Sequence, residues 1–542
     1  MFIHWPLAKM FPVGDKGMVA AKHPLAAQAG VRMLQEGGSA VDAAIATSFA
    51  SGVVEPYMSG LGGGGVALYQ PLNGAARALH FGMRAPASAR PDMYEILPGT
   101  EDRDLFGWPC TRDDANISGR SSIALPGLVP GLYRLWELGG RLPWQDLIAP
   151  AISLASGGFK VDWLTSLRIL QGQSLLSRFP ASRSIFLSRG RPPLPDLTLG
   201  AEVLRQADLA RTLQEVADNP AALETGAIAH AIALTAERRF TVEELGRHRP
   251  LEQDPLSVEF RGAKALLVPG STGGPTVLEW LGILQALDPP SDELHPDLWW
   301  AIVRAGQVAM RDRLERLADP DFVPFPSKIL DPVYHRQMAE AIRLGEVNPI
   351  TVPPAAGSTS HLATVDAQGN VVTLTQTLLS TWGSGVVAEG TGICLNNGMM
   401  WFDPEPGKPN SIDGSKLPLA NMCPVMVTRG GVPHLVYGAS GGRRILGAVV
   451  QILVRVVMLE QPLAEAMAAP RLEISGSAIL ADIRFGQDFA DILSRRLGEL
   501  VVLHEPALGA APWASPVGLM RLDDGSWTGG ADPYSMACIT QA

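Results

Sequence analysis

Apolar and polar positions alternate on both sides of a short polar run at 366–370, and this reads as a β-hairpin. One strand is expected at 360–365, the turn at Asp366-Ala-Gln-Gly-Asn370, and a second strand at 371–377. If the strands pair symmetrically about the turn, Thr377 lies opposite Thr359, and opposed residues of an antiparallel pair face the same way. Upstream, 23–36 has the spacing of a helix that starts at Pro24 and stops at Gly37-Gly38. Residues 41–50 form a second helix, apolar all round and so expected to be buried. Residues 59–65 are a glycine-rich loop leading into a strand at 66–69. Close backbone packing accounts for those glycines better than phosphate binding, because the P-loop Lys-Ser/Thr is missing. A polar surface loop is expected at 96–120, mostly helix over 127–247, and another helix at 298–317. Residues 346–358 carry three prolines and little helix or strand potential. After them the chain turns β-rich. No internal repeat is apparent.

Composition narrows the classes. A net charge of −10 argues against nucleic acid as the main partner, and no Lys/Arg run marks a membrane-surface patch. Cys110, Cys394, Cys423 and Cys538 lack metal-type spacing and read as buried thiols of a reducing compartment. The first ten residues lack the basic start and apolar run of a secretory signal. The apolar stretch 447–459 is interrupted by Gln451 and Arg455 and is too short to span a bilayer. A cytoplasmic location is expected, with no nucleic-acid or membrane partner.

The hairpin carries the candidate chemistry. A hydroxyl at a strand start, faced by a second hydroxyl, suggests a nucleophile and its positioning partner; the plainer reading is a Thr-rich surface hairpin. A threonine hydroxyl is a weak nucleophile unless the residue is N-terminal, when its own α-amine can take the proton. An α-amine titrates near ~7.7–8.0, so much of it is neutral at physiological pH. A Pro-rich linker just before Thr359 suits a chain that cuts itself there. No convincing Ser/His/Asp series stands out. His361 lies on the Thr359 face, two residues along, and is an alternative general base.

Further motifs decide between these readings. They are Val54-Glu-Pro56, Ser59-Gly-Leu-Gly-Gly-Gly-Gly65, Asp319-Pro-Asp-Phe322, Thr359-Ser-His361, Gly392-Ile-Cys-Leu-Asn-Asn397, Lys416-Leu-Pro-Leu419 and Gly438-Ala-Ser-Gly-Gly-Arg-Arg-Ile445. In this order, from about Gly17 to near the C-terminus, they resemble the γ-glutamyltranspeptidase family of N-terminal-nucleophile hydrolases. Phe402-Asp-Pro-Glu-Pro-Gly407 and Ser411-Ile412 are most similar to the branch that includes the cephalosporin acylases. The resemblance implies an α/β (α+β) fold, a four-layer αββα sandwich. It also implies cleavage between Ser358 and Thr359 through an N-to-O acyl shift. The products, residues 1–358 and 359–542, would stay associated as one intertwined domain. Thr359 is then the nucleophile, Thr377 its supporting hydroxyl, and Gly441-Gly442 the oxyanion-hole glycines. No cofactor or metal is expected.

The substrate-reading positions depart from that family. The Arg that holds a glutamyl α-carboxylate falls on Gly82, with Arg84 two residues away. The Asn position falls on Leu379, the Gln/Asp pair on Gly398 and Trp401, and the serine pair on Ala420-Asn421. Trp401 supplies no carboxylate for an α-ammonium, and leaving a buried charge unpaired is costly. With Leu379 and Ala420 the acyl pocket reads as apolar, suited to acyl groups without a free amino-acid end. Arg84, Arg443 and Asn421 are candidates for binding a carboxylate or carbonyl, and each also has a structural reading. The segment 402–420 is short beside family members with a lid loop. The leading expectation is an autoprocessed acylase that passes the acyl group of a small-molecule amide mainly to water. The alternatives are an authentic γ-glutamyltransferase or glutathione hydrolase, and an unprocessed binding protein.

Overall fold

A computed structural model describes residues 9–99, 107–187, 189–195, 200–347, 358–476, 478–505 and 513–542. Most of the Pro-rich stretch before Ser358 and the first eight residues lie outside them.

The hairpin nucleates the architecture. Strands Ser360–Asp366 and Val371–Thr377 pair from Ser360↔Gln376 to Val365↔Val371, which is the symmetric register. Its turn is tied down by one side chain. Asp366 Oδ1 accepts from the amides of Gln368 and Asn370, both at 3.0 Å, and its Oδ2 accepts from Ala40 N at the start of a helix.

The hairpin forms the middle of a seven-stranded antiparallel sheet. In order across it run Cys538–Gln541, Gly17–Ala21, the two hairpin strands, Gly64–Gln70, Arg77–Phe81 and Leu251–Gln253. A second seven-stranded antiparallel sheet contains Val13–Gly14, Trp527–Ala531, Ser515–Arg521, Val432–Ser440, Val425–Arg429, Ala263–Leu267 and Leu256–Phe260. Each sheet draws strands from both sides of residue 358.

Strand alternation explains the layering. Even-numbered Leu362, Val372 and Leu374 of the hairpin pack outward on Ala44, Phe49, Leu128 and Leu147 of covering helices. Odd-numbered Ala363, Val365 and Val371 pack inward on Val436, Val517 and Leu519 of the second sheet. The far face of that sheet, with Leu267, Val425 and Leu435, is covered by Trp280, Trp299 and Val449. The result is the expected αββα sandwich, with both faces of each sheet buried.

The helices form where expected, with shifted ends. Pro24–Gln35 begins at a proline, and His23 Nδ1 accepts from Leu25 N (3.1 Å). Ala40–Val54, longer than the pattern suggested, starts with a capping box between Ser39 and Asp42, and its residues are nearly all buried. Pro296–Arg316 runs beneath the second sheet. The apolar 447–459 stretch is buried in Arg444–Leu453 and the π-helical turn Val454–Met458 that follows. Among the described residues, no helix is long and apolar enough to cross a membrane. All four thiols are free, but only Cys423 is buried; Cys110, Cys394 and Cys538 are partly exposed.

Candidate active site

The inward face of the hairpin puts Thr359 and Thr377 at the edge of the inter-sheet layer, both buried. Their hydroxyls converge on one atom. Thr359 Oγ1 donates to the Ser358 carbonyl at 2.6 Å, and Thr377 Oγ1 donates to the same carbonyl at 2.7 Å. Thr377 Oγ1 in turn accepts from Leu379 N at 2.7 Å, which fixes its rotor so that its proton points at Ser358. Ser358 N donates to Leu379 O (3.1 Å), and Ser358 Oγ donates to Tyr57 O (3.1 Å). Leu379 adopts φ +90°, a conformation costly for a branched side chain and held here by both backbone bonds. The glycine-rich loop serves this packing: a Cβ on Gly63 would lie 2.3 Å from Thr377 O, and one on Gly62 2.2 Å from Cys394 O.

His361 has other work. Its Nδ1 meets Thr375 Oγ1 at 2.8 Å and its Nε2 meets Thr373 Oγ1 at 3.3 Å. The ring is fully buried; desolvation first, and then the Lys22 charge, push its pKa down to about 3. It is a neutral core imidazole whose two nitrogens meet Thr375 and Thr373, not Thr359.

Gly441 and Gly442 turn the chain from the strand Val432–Ser440 into the helix Arg444–Leu453, with φ +140° and +63°. Gly441 O accepts from Arg444 Nε at 3.0 Å. A Cβ on Gly441 would come within 2.9 Å of Ala514 Cα, so a side chain is excluded there.

Leu379, Trp401 and Ala420 are brought together in one apolar cluster with Met83, Met399 and Phe402. Gly398 packs into its edge, where a Cβ would lie 2.8 Å from Ala124 Cβ. Asn421 does not face this cluster with a free carbonyl. Its Oδ1 accepts from Arg313 Nη2 at 3.0 Å, and Arg313 also donates to Ala420 O (2.6 Å) and Thr272 O (2.8 Å). Asn421 is therefore part of a buried scaffold. Arg84 exchanges backbone bonds with Leu125, and its guanidinium donates to Ser415 O.

Sequence reasoning missed the cleft on the opposite flank. It holds about 90 Å³ and is lined by Lys22, Glu55, Met58, Arg168, Ser440, Gly441, Arg444 and Arg471, among others. Glu55 accepts from Ser360 Oγ at 3.3 Å, and Met58 Sδ touches the Ser358 hydroxyl, so its wall holds both neighbours of Thr359. Among the described residues, no group of three or more His, Cys, Asp or Glu is placed to hold a metal.

Comparison with known proteins places this geometry in context. Residues 26–539 match the family model described as gamma-glutamyltranspeptidase. The chain is 33% identical to the glutathione hydrolase proenzyme of Escherichia coli (strain K12), over 98% of this chain and 92% of that protein. It is 31% identical to the acylase ACY 1 proenzyme of Pseudomonas sp. (strain V22), over 89% of this chain and 87% of that one. The crystal structure of cephalosporin acylase from Bacillus halodurans shares the fold, with a TM-score of 0.88 at 24% identity, covering 100% of this chain and 98% of that one.

Proposed function

The chain belongs to the gamma-glutamyltranspeptidase family, whose members hydrolyse or transfer amide-linked acyl groups, and we propose that it is a self-processing N-terminal-threonine acylase that delivers its acyl group to water. The observation that carries this reading is the convergence of two threonine hydroxyls on the Ser358 carbonyl.

In the precursor, Thr359 Oγ attacks the Ser358 carbonyl carbon. Negative charge develops on Ser358 O, where the Thr377 hydroxyl already donates; a preplaced donor at the developing oxyanion is the usual source of stabilisation in acyl transfer. The hydroxyl proton passes to the leaving nitrogen as the C–N bond to Thr359 breaks, water hydrolyses the resulting ester to a Ser358 carboxylate, and Thr359 is left with a free α-amine and its hydroxyl. That amine then serves as the base for its own hydroxyl in each turnover. The substrate amide forms a threonyl ester, the amine leaves, and water releases the acid. Gly441-Gly442 supplies backbone N–H groups for the tetrahedral intermediate. Both curated relatives quoted above are named proenzymes, which supports processing into a heterodimer of 1–358 and 359–542.

The acylase reading rests on the filled glutamate-reading positions. Leu379, Trp401 and Ala420 offer no charge to an α-amino acid, and the Asn421 carbonyl oxygen is taken up by Arg313. The second reading, a glutathione hydrolase, is favoured by the similarity to the E. coli protein over almost the whole chain. Specificity constants for γ-glutamyl anilide and its des-amino counterpart glutaryl anilide separate the two. The acylase reading expects the des-amino compound to win; a strong preference for the γ-glutamyl compound replaces it with the hydrolase reading.

A further inference from the structure

The cleft beside Thr359 contains more positive charge than its own residues neutralise. Lys22, Arg444 and Arg471 all line it and are 4%, 8% and 7% exposed. None of the three has a carboxylate within 4 Å among the described residues. Arg471 spends its guanidinium on two backbone carbonyls, Met467 O (2.8 Å) and Ala514 O (3.1 Å). Arg444 Nε donates to Gly441 O. Lys22 Nζ reaches the hydroxyl and, at 3.4 Å, the carbonyl of Ser515. These direct partners are neutral; the acids that offset the charges, Asp532 for Lys22 and Arg471 and Glu473 for Arg444, act from beyond contact distance, and a desolvated cation with no anion in contact is expensive to build.

The acids of the cleft offset these charges only in part: Asp532 acts on Lys22 and Arg471 without touching either. Asp482 is held by Arg484, with Nε to Oδ1 at 2.9 Å and Nη2 to Oδ2 at 2.6 Å. Asp532 accepts from Tyr534 N at 3.1 Å. Glu55 accepts from Ser360, and burial raises its pKa, moving it toward the neutral form.

Lys22 is also correctly placed. The strand Gly17–Ala21 pairs Ala20 with Ala363, so the residue two beyond Ala20 continues on the face that carries His361 and Thr359. The Lys22 charge is felt at His361, which agrees with that placement.

We propose that this cleft is a carboxylate subsite, in which Lys22, backed by Arg444 and Arg471, holds a carboxylate of the amide substrate while Thr359 attacks its carbonyl. The inference rests on the acylase reading for the identity of the reacting amide. The carboxylate belongs either to the acyl chain or to the amine that leaves, and substrates distinguish the two.

The test compares kcat/KM for three compounds: pentanoyl anilide, glutaryl anilide, and the pentanoyl amide of 4-aminobenzoate. One of the two carboxylates is expected to raise kcat/KM about tenfold or more over the neutral anilide, mainly through KM. Lys22→Met should remove that gain and Lys22→Arg should retain most of it. A gain that survives Lys22→Met with KM unchanged, or no gain from either carboxylate, overturns the subsite. Calorimetric titration of the wild-type protein with glutarate, 4-aminobenzoate and neutral pentanamide needs neither turnover nor a folded variant. Heat from a carboxylate without hydrolysis of any anilide would uphold the subsite and sink the acylase reading. Hydrolysis without carboxylate binding would do the reverse.

Discussion

The two flanks of the Thr359–Thr377 pair are built on opposite principles. Toward Leu379, Trp401 and Ala420 the protein is apolar and closed, and Asn421 Oδ1 beside it is held by Arg313. Toward Lys22, Arg444 and Arg471 it is open, and its cations are buried with no anion in contact. A closed apolar flank contributes stability, whereas an open flank whose buried charge no anion touches gives up stability for recognition. Discrimination among substrates should therefore lie on the Lys22 side, not at the positions where relatives would be searched for a glutamate clamp.

The largest expected effect touches neither flank but the atom between them. Thr359→Ala should abolish turnover of every anilide while the far-UV spectrum stays unchanged, because the same hydroxyl is proposed to cut the chain and to carry the acyl group. Residual turnover at more than trace level would show a different nucleophile.

Thr377→Ala removes one of the two donors on Ser358 O. Losing a positioned hydrogen bond costs on the order of 1–3 kcal/mol, or roughly ten- to a hundred-fold in rate. Both chain cleavage and turnover should slow by that factor, with KM little changed; unaltered rates would mean the bond seen to Ser358 O does no chemistry.

The next effect is on pH. Lys22 is pushed down to about 8, mainly by desolvation, against the pull of Asp532 and Glu55 and with the push of Lys9 and Arg168. It is charged below that pH and neutral above it. The advantage of a carboxylate-bearing anilide over the neutral one should hold at pH 7 and decline, by up to about tenfold, between pH 7 and 9.5. A ratio that stays flat across this range removes Lys22 from recognition. Using a ratio cancels the titration of the Thr359 α-amine, which both substrates share.

The smallest effect on specificity is expected on the closed flank. Trp401→Asp introduces a carboxylate at a position 3% exposed, where an unpaired charge is poorly tolerated. Thermal stability should drop, while the ratio of γ-glutamyl to glutaryl anilide turnover moves less than about twofold. A large gain in γ-glutamyl turnover would show that the closed flank, and not the Lys22 side, sets discrimination.

Local chemistry made the hairpin legible. The Asp366–Asn370 turn fixes a symmetric register, and that register alone puts Thr377 across from Thr359. The layers followed because strand alternation and the all-round apolar Ala40–Val54 helix demand cover on both faces. What stayed hidden depends on contacts between distant segments. Lys22 looks like an ordinary polar residue closing a buried strand, and nothing in its neighbourhood signals that Arg444 and Arg471, more than 400 positions away, will share its cleft. Asn421 looked available because its partner Arg313 lies on a helix 108 positions upstream. His361 looked like a base because alternation gives its face but not the two threonines that cap its nitrogens.

The central claim is that Thr359 is freed by the chain itself, and intact-mass analysis of the purified protein tests it most directly. The account predicts two associated polypeptides, the smaller beginning at Thr359, and for Thr359→Ala a single chain near 57.7 kDa. A wild-type protein that remains one full-length chain and still hydrolyses amides would contradict it.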